Sequence, residues 1–242
     1  MASFSYCLNE PKTIAMKETT IKPIAYVVSD FKEKFGIPRQ SGRAPSVTSK
    51  IVFYPEYRDK RALIGIEGFS HLWLIFDFSL AHKNEFSPTV RPPRLGGNER
   101  VGVFASRSPF RPNSLGLSSV KLIKVEEDES LGSVLIVGGA DLLDGTPIYN
   151  VKPYLPFTDC HTDAIGGYAD QKKDYKLDVT FSCDARKFLD ESKLSALIEC
   201  LSDDPRPSYQ EDGREYGMRF SDFEIKFSVN GKTLTVNKIE KV

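Results

Sequence analysis

"HLWLIFDFSL", at residues His71–Leu80, is a run of aromatic, β-branched and leucine side chains interrupted by few polar groups. Residues of these types are enriched in β-strands. The run is too continuously apolar for a strand with one solvated face, so we expect a strand buried on both faces. On that expectation Trp73 belongs to the hydrophobic core, and His71 is a core histidine with satisfied hydrogen bonds rather than a base.

Five other segments have the composition of strands and are separated by turn residues: "IAYVVS" (Ile24–Ser29), "IVFYP" (Ile51–Pro55), "VGVFAS" (Val101–Ser106), "LSSVKLIKV" (Leu117–Val125) and "VLIVGGADLL" (Val134–Leu143). Six strands with little helix between them predict a closed or nearly closed β-barrel, because closure removes exposed sheet edges. We assign a single-sheet barrel to residues 21–165. Residues 1–20 are left as an N-terminal extension without an assigned role.

Residues 166–242 are expected to form a small α+β domain after a polar, glycine-containing linker. Four apolar residues recur at the spacing of one helix face: Leu194, Leu197, Ile198 and Leu201. Asp184 is the expected N-cap, and the prolines of "DDPRP" (203–207) end the helix. Two strands then flank Asn230-Gly231, which is a strong signal for a two-residue hairpin turn.

The charge balance restricts the mode of nucleic-acid binding. Thirty-three Lys and Arg residues balance thirty-three Asp and Glu residues, so overall charge gives no sign of binding by bulk electrostatics. A polyanionic partner must therefore meet a local patch. The strongest candidate is the segment 91–118, which carries five arginines and one acid.

Cysteine usage points to a reducing compartment. Cys7, Cys160, Cys183 and Cys200 are far apart and form no CxxC pair, which suits reduced thiols in the cytoplasm. The first twenty residues do not resemble a secretory signal, and no stretch is long enough to span a bilayer. We expect no disulfide, and no metal site because Cys160-His161 lacks a second pair of ligands.

Two arginine-containing loops are stiffened by proline. In "GVFASRSPFRPNSLGLS" (102–118), Pro109 and Pro112 restrain the loop that holds Arg107 and Arg111. Such arginines suit recognition of carboxylate or phosphate, and an equally open alternative is that they bind loop carbonyls. The segment "RPPRLGG" (91–97) favours phosphate contact slightly over a polyproline stretch for a protein partner.

Two further segments allow both functional and structural interpretations. The acids of "DLLDGTPIYNVKPYLP" (141–156) could bind ribose hydroxyls or an amino group or act as a general base, whereas composition alone modestly favours an Asx-turn at Asp144. Taken alone, "KFGIPRQSG" (34–42) is a surface connection. The glycine-rich phosphate loops GxGxxG and GxxxxGK[ST] are absent from the sequence.

Taken together, these motifs resemble the TrmO family in order and spacing: "IPRQ" (37–40), "GFSHLWLIFDF" (68–78), "RPPRLGGN" (91–98), "GVFASRSPFRPNSLGLS", "DLLDGTPIYNVKPYLP" and "DPRPSY" (204–209). The resemblance implies a TsaA-like, non-Rossmann barrel. It also implies a small C-terminal domain and a homodimer that binds S-adenosylmethionine between or beside its protomers. The implied activity is methylation of N6 of threonylcarbamoyladenosine next to the anticodon of transfer RNA.

Carried over by position, the resemblance implies a set of cofactor-binding residues: Pro38, Arg39, Gln40, Ser79, Leu80, Arg107, Leu117, Leu142, Leu143, Asp144 and Gly145. The family often has a more polar pair at Ser79-Leu80, so contacts there are expected through the backbone. Candidate bases or orienting groups are Asp144, Lys152 and Tyr154. Candidate contacts to RNA phosphate or to the threonyl carboxylate are Arg91, Arg94, Arg111 and Arg206.

Two other functions remain open at this point. One is a non-enzymatic RNA-binding β-barrel whose Arg-Pro loops bind phosphate. The other is an adenine-nucleotide sensor that uses the same pocket. Binding of S-adenosylmethionine distinguishes the first from the methyltransferase, and methyl incorporation into transfer RNA distinguishes the second.

Overall fold

The computed structural model of the protein describes residues 17–92, 95, 99–172, 174–206 and 212–242. The strands within these residues are β1 (Ala25–Val28), β2 (Thr48–Phe53), β3 (His71–Asp77), β4 (Thr89–Val90), β5 (Val101–Gly102), β6 (Leu115–Asp128), β7 (Gly132–Gly138), β8 (Pro147–Pro153), β9 (Asp178–Phe181), β10 (Glu215–Phe220), β11 (Phe223–Asn230) and β12 (Thr233–Lys241). The α-helices are α1 (Pro156–Asp159) and α2 (Glu191–Ser202). Short 3-10 helices occupy connections, among them Pro55–Tyr57, Lys60–Leu63, Ile66–Gly68 and Val103–Ala105.

Six strands close into a barrel in the order β1-β2-β7-β6-β3-β8. Every neighbouring pair is antiparallel, and the ring is closed where Ala25 of β1 lies opposite Ile148 of β8. Closure leaves no unpaired edge along the ring. The predicted mainly-β fold, a barrel followed by a small α+β domain, is confirmed.

Strand β3 has one fully buried face rather than two. Leu72, Leu74 and Phe76 point into the barrel core, and the residues between them are only half-buried. The outer side of Trp73 packs against the Tyr154 ring, with 5.5 Å between the ring centroids. The segment after β8 thus covers the outer apolar side chains in part, which explains the continuous apolar run. His71 is likewise half-buried, so the expectation of a core histidine was wrong.

The sixth barrel strand is not the one that composition predicts. Residues 101–106 form only the two-residue β5 and a 3-10 turn, whereas β8 closes the barrel. Pro147 and Pro153 are the first and last residues of β8, and they make the composition of this segment untypical of a strand. Proline is tolerated there because it stands at the first and last positions of the strand, where ladder hydrogen bonds begin and end.

The C-terminal domain is a four-stranded sheet packed against α2. Its strand order is β10-β11-β12-β9, with β9 parallel to β12, so two strands were missed. The hairpin at Asn230-Gly231 is confirmed, since Asn230 pairs with Thr233. The N-cap of α2 is Asp190 rather than Asp184, because the Asp190 carboxylate accepts a hydrogen bond of 2.8 Å from the backbone N–H of Lys193.

The loop between β1 and β2 joins the barrel to the C-terminal domain. Phe31, Ala44 and Val47 are buried in the core formed by α2 and the C-terminal strands, and the Phe31 and Phe220 rings meet at 5.9 Å. This loop therefore crosses the predicted division between residues 21–165 and 166–242. It also carries the residues Pro38, Arg39 and Gln40.

Candidate active site

A cavity of about 780 Å³ opens where the barrel rim meets the loop between β1 and β2. Pockets for small ligands typically enclose about 300–1,000 Å³, so a molecule the size of a nucleoside derivative fits. The lining comes from Lys34, residues 37–41, Trp73, residues 76–81, residues 106–111, residues 115–119, residues 141–143 and Thr146. Strands of the closed barrel thus position one wall, and three loops position the others.

The apolar part of the cavity depends on a glycine. Phe76, Phe78 and Leu142 line it, and the Phe76 and Phe78 rings meet edge to face at 5.0 Å. A Cβ placed on Gly116 would lie 2.2 Å from the Phe76 ring, so only glycine leaves room for that ring. Leu80 and Leu117 at the cavity wall remain 63% and 56% exposed, which leaves an apolar surface for a ligand or a second chain.

Arg107 and Arg111 have different roles in the loop before β6. The Arg111 Nη1 donates to the backbone carbonyls of Val103 at 3.0 Å and Ser106 at 2.6 Å, so this side chain holds the loop together. Arg107 lines the cavity and donates to the side-chain oxygen of Gln40. An arginine oriented in this way presents its remaining N–H groups to a carboxylate.

Asp141 is a half-buried acid of the cavity that sequence reasoning did not select. Its Oδ1 accepts a hydrogen bond of 2.7 Å from the Ser118 hydroxyl. Burial raises the pKa of Asp141 above the ordinary value, and the Ser118 hydroxyl, backbone groups and the charge of Arg107 only partly offset it. Of the two acids in the motif "DLLDG", the family resemblance selected Asp144 and not Asp141.

The donor set fits S-adenosylmethionine. Arg107 can bind the carboxylate of the methionine part, apolar side chains can enclose the adenine, and Asp141 offers an acceptor for an ammonium, a hydroxyl or a proton. Within the described ranges, no cluster of three or more His, Cys, Asp or Glu side chains is arranged to hold a metal. None of the described helices has the length and hydrophobicity of a transmembrane segment.

Comparisons with known proteins identify the family of the chain. The model of the tRNA-methyltransferase O N-terminal domain matches residues 26–160, and that of the TrmO C-terminal domain matches residues 174–242. This chain belongs to the TrmO family.

Two relatives and one solved structure show how far the TrmO likeness extends. The tRNA (adenine(37)-N6)-methyltransferase of Escherichia coli K12 is 38% identical over 234 residues, which cover 93% of this chain and 99% of that protein. A putative S-adenosylmethionine-dependent methyltransferase of Pseudomonas aeruginosa, RcsF, is 42% identical over 215 residues, covering 85% and 90%. The crystal structure of TrmO from Pseudomonas aeruginosa superimposes with a TM-score of 0.75 at 33% identity, covering 93% of this chain and 100% of that one.

Most residues that the TrmO resemblance selected for the cofactor come together at the cavity. Those that line it are Pro38, Arg39, Gln40, Ser79, Leu80, Arg107, Leu117, Leu142 and Leu143. Gly145 does not line it and instead forms a turn with φ of +76°. The cofactor contacts of this set stay predictions.

Asp144 is not among the residues that line the cavity, and its roles as a base and as a cofactor contact stay predictions for this TrmO chain. Its Oδ2 lies 2.9 Å from the Lys32 ammonium, and its Oδ1 accepts a hydrogen bond of 2.9 Å from the backbone N–H of Ser29. Asp144 therefore joins the end of β1 to the segment after β7. Ser29 and Lys32 are both distant from Asp144 in the sequence, so the Asp144 carboxylate does not form the expected local Asx-turn.

Lys152 and Tyr154 are also placed outside the cavity lining. Lys152 lies opposite Trp73 in the β3–β8 ladder, and the Tyr154 ring packs on the side of Trp73. Burial is the largest influence that raises the pKa of the Tyr154 phenol. The phenol therefore stays protonated near neutral pH, and a protonated phenol cannot accept the proton. The structure therefore does not support either residue as the base.

The four arginines selected for RNA lie in different surroundings. Arg206 is only 7% exposed and forms ion pairs with Asp204 and Asp212, which favours a structural role, and its contact to phosphate stays a prediction. Arg91 is exposed, Arg111 lines the cavity, and Arg94 lies outside the described residues. The carbonyls of Asp204 and Arg206 accept hydrogen bonds of 3.0 and 2.5 Å from Arg39.

Proposed function

We propose that this protein is an S-adenosylmethionine-dependent tRNA methyltransferase that methylates N6 of adenosine 37, next to the anticodon, when that nitrogen carries threonylcarbamoyl. The observation that carries the proposal is the cavity at the barrel rim, where Arg107 and Asp141 lie beside apolar side chains such as Phe76, Phe78 and Leu142. The Escherichia coli relative is named a tRNA (adenine(37)-N6)-methyltransferase and spans almost the whole chain.

The residues of the chain bind and orient the two reactants. S-adenosylmethionine, when bound, supplies a methyl group on a positively charged sulfur. Arg107 binds a carboxylate, and Gln40 fixes the direction of its guanidinium. Arg111 holds the proline-stiffened loop in place through two backbone carbonyls. Arg107 is thus oriented before the ligand arrives, which reduces the entropy lost on binding.

Positioning accounts for most of the expected rate. An acylated nitrogen is a weak nucleophile because its lone pair is delocalised into the carbonyl group. Holding two reactants in a near-attack geometry lowers a barrier by roughly 7–11 kcal/mol, whereas a general base contributes about 10²–10⁴-fold. We therefore expect the residues that hold the two reactants together to contribute more to the rate than the base does.

The RNA partner in this proposal is the anticodon loop. A base in a loop can be unstacked and read by stacking and edge contacts. Near the cavity, the rings of Phe86 and Phe104 stack at 6.3 Å, and Lys83 lies 4.2 Å from the centre of the Phe110 ring. Phe104 is 71% exposed. A local cluster of cations on a neutral chain predicts a modest dependence of affinity on salt.

Two finer parts of the proposal concern assembly and location. A homodimer is supported by the family resemblance and by the exposed Leu80 and Leu117 beside the cavity. Sedimentation velocity with and without S-adenosylmethionine tests it, and a monomer under both conditions contradicts it.

A cytoplasmic location is supported by the sparse cysteines and by the cytoplasmic occurrence of the RNA substrate.

The deciding experiment measures methyl transfer from labelled S-adenosylmethionine to bulk tRNA that carries or lacks threonylcarbamoyl. We expect incorporation only into tRNA that carries it, at the adenosine next to the anticodon. Calorimetry with S-adenosylmethionine runs in parallel. Absence of saturable heat would favour the RNA-binding module, and heat without methyl transfer would favour the nucleotide sensor.

A further inference from the structure

Two acids, Asp77 and Asp141, line the cavity among the described residues, and the family resemblance assigned neither of them a role. The titratable side chains that line it with them are the cationic Lys34, Arg39, Arg107 and Arg111. Among the described residues that line the cavity, these two carboxylates are therefore the candidate proton acceptors at neutral pH. Asp77 lies on the outward face of β3, and its Oδ1 lies 2.7 Å from the His82 Nε2.

Asp141 is held by hydrogen bonds of its neighbours and of its own side chain. The backbone on both sides of it is fixed by hydrogen bonds. The N–H of Gly139 donates to the carbonyl of Val47 at 2.8 Å, and the carbonyl of Leu142 accepts from the Ser29 hydroxyl at 2.9 Å. The side chain accepts from Ser118, which points into the barrel. A carboxylate held in this way can keep a constant direction toward a bound reactant.

We propose that Asp141 is the catalytic base of this enzyme and accepts the proton from the nitrogen that becomes methylated. The inference rests on the proposed function and names a base that it leaves open. Asp141 and Arg107, the expected anchor of the methyl donor, line the same cavity, and the charge of Arg107 favours the Asp141 carboxylate.

The step balances without a further reactant. The nitrogen lone pair forms the N–CH₃ bond, and the S–CH₃ bonding pair remains on sulfur, which becomes a neutral thioether. The N–H proton passes to the Asp141 carboxylate, which becomes a neutral acid and later releases the proton to water. One positive charge on sulfur and one negative charge on Asp141 are lost together.

The surroundings of Asp141 predict how it titrates. The groups that face it are the Ser118 hydroxyl from β6, the backbone of Ser41 and the guanidinium of Arg107. All three favour the carboxylate, but burial dominates and raises its pKa above the ordinary aspartate value of 3.8. A stronger base results, since affinity for a proton rises with pKa. The Ser118→Ala variant lacks one group that lowers the pKa, so the pKa of Asp141 should rise further.

The test compares Asp141→Asn with the wild-type protein in single-turnover methylation at saturating S-adenosylmethionine and tRNA, across pH. We expect the rate to fall about 10²–10⁴-fold, and the acid limb of the pH profile to disappear. Calorimetry should give a cofactor dissociation constant within about threefold of the wild type. Ser118→Ala should keep the limb and move it to higher pH. Glu126→Gln, near the far end of β6, is the control for assay and folding.

A second readout needs no cofactor. In carboxyl NMR of the cofactor-free protein, the resonance missing from Asp141→Asn identifies Asp141, and it should titrate above 3.8. The raised pKa of Asp141 also predicts how the stability of the fold changes with pH. A raised folded-state pKa stabilises the fold at low pH, and this contribution is lost as pH rises through that pKa. The melting temperature of Asp141→Asn relative to wild type should therefore increase from low pH to neutral pH.

Failure of this proposal differs from failure of the proposed function. If wild-type protein transfers no methyl group, the proposed function fails. If wild-type protein is active and Asp141→Asn keeps its rate and its acid limb, only the base assignment is overturned. A weakened cofactor affinity with an unchanged saturated rate would make Asp141 a binding residue and would also overturn it.

Discussion

Arg43, on the loop between β1 and β2, donates from Nε and Nη2 to Oδ1 of Asp203 at the end of α2, at 2.8 and 2.5 Å. Asp203 is 3% exposed as a side chain, so an almost fully buried carboxylate of the C-terminal domain is neutralised by a residue of the barrel side. The same loop supplies Gln40 to the cavity. The ion pair therefore connects the stability of the domain interface with the shape of the candidate active site.

Arg43→Ala should lower the free energy of unfolding by about 3 kcal/mol, because it leaves a buried charge with poorer compensation. Urea denaturation measures the change. Lys60→Ala, which removes an exposed ion pair with Glu127, is the control and should have little effect. Equal stability of the two variants would show that the Arg43–Asp203 pair does not stabilise the interface.

Arg206 should act as a structural arginine and not as an RNA contact. Its guanidinium forms ion pairs with Asp204 and Asp212, and its carbonyl accepts a hydrogen bond from Arg39. Arg206→Ala should lower the melting temperature and leave the salt slope of tRNA binding unchanged. The measurement is log Kd against log salt concentration. A slope smaller by about one unit, with normal stability, would instead indicate a lost phosphate contact.

Arg107→Ala should weaken binding of S-adenosylmethionine by at least about tenfold, since a hydrogen bond to a charged group contributes about 1.5–3 kcal/mol. Isothermal titration calorimetry measures the dissociation constant. Arg186→Ala removes an exposed arginine paired with Glu191 and should bind the cofactor normally. Undiminished binding and turnover in Arg107→Ala would remove the central element of the proposed site.

Gly116→Ala should destabilise the protein by about 1–3 kcal/mol, because the new Cβ would lie 2.2 Å from the Phe76 ring and force it to move. The displaced ring should also reduce cofactor affinity. Gly102→Ala is a matched control, since no atom lies within 4 Å of its added Cβ. Thermal unfolding of both variants decides the outcome, and equal melting temperatures would contradict the packing argument.

The sequence predicted the architecture better than the chemistry. Strand composition predicted most of the barrel because burial selects β-branched and aromatic residues. It did not predict β8, because this strand begins at Pro147 and ends at Pro153. Asp144 was selected through the family resemblance, whereas Asp141 lines the cavity. The two acids are three residues apart, in a segment with positive φ at Gly139 and Gly145, and the composition of the segment does not predict which of them faces the cavity.

Contacts between distant segments could not be predicted from the sequence, and the reason is physical. A hydrogen bond such as Ser29 to Asp144 joins residues 115 positions apart, and no local pattern records it. The packing of Tyr154 against Trp73 is another contact of this kind. The burial of Arg206 also could not be predicted from a local pattern. Periodicity and turn residues report only which face is apolar and where the chain reverses.

The burial of Phe31, Ala44 and Val47 within the C-terminal core has a consequence for synthesis. The ribosome releases Phe31 about 150 residues before the strands that cover it, which at roughly 5–20 residues per second is a delay on the order of ten seconds. During that time a nascent barrel presents uncovered apolar side chains in its longest early loop. Until the last strand emerges, this uncovered apolar surface makes the nascent chain prone to aggregation.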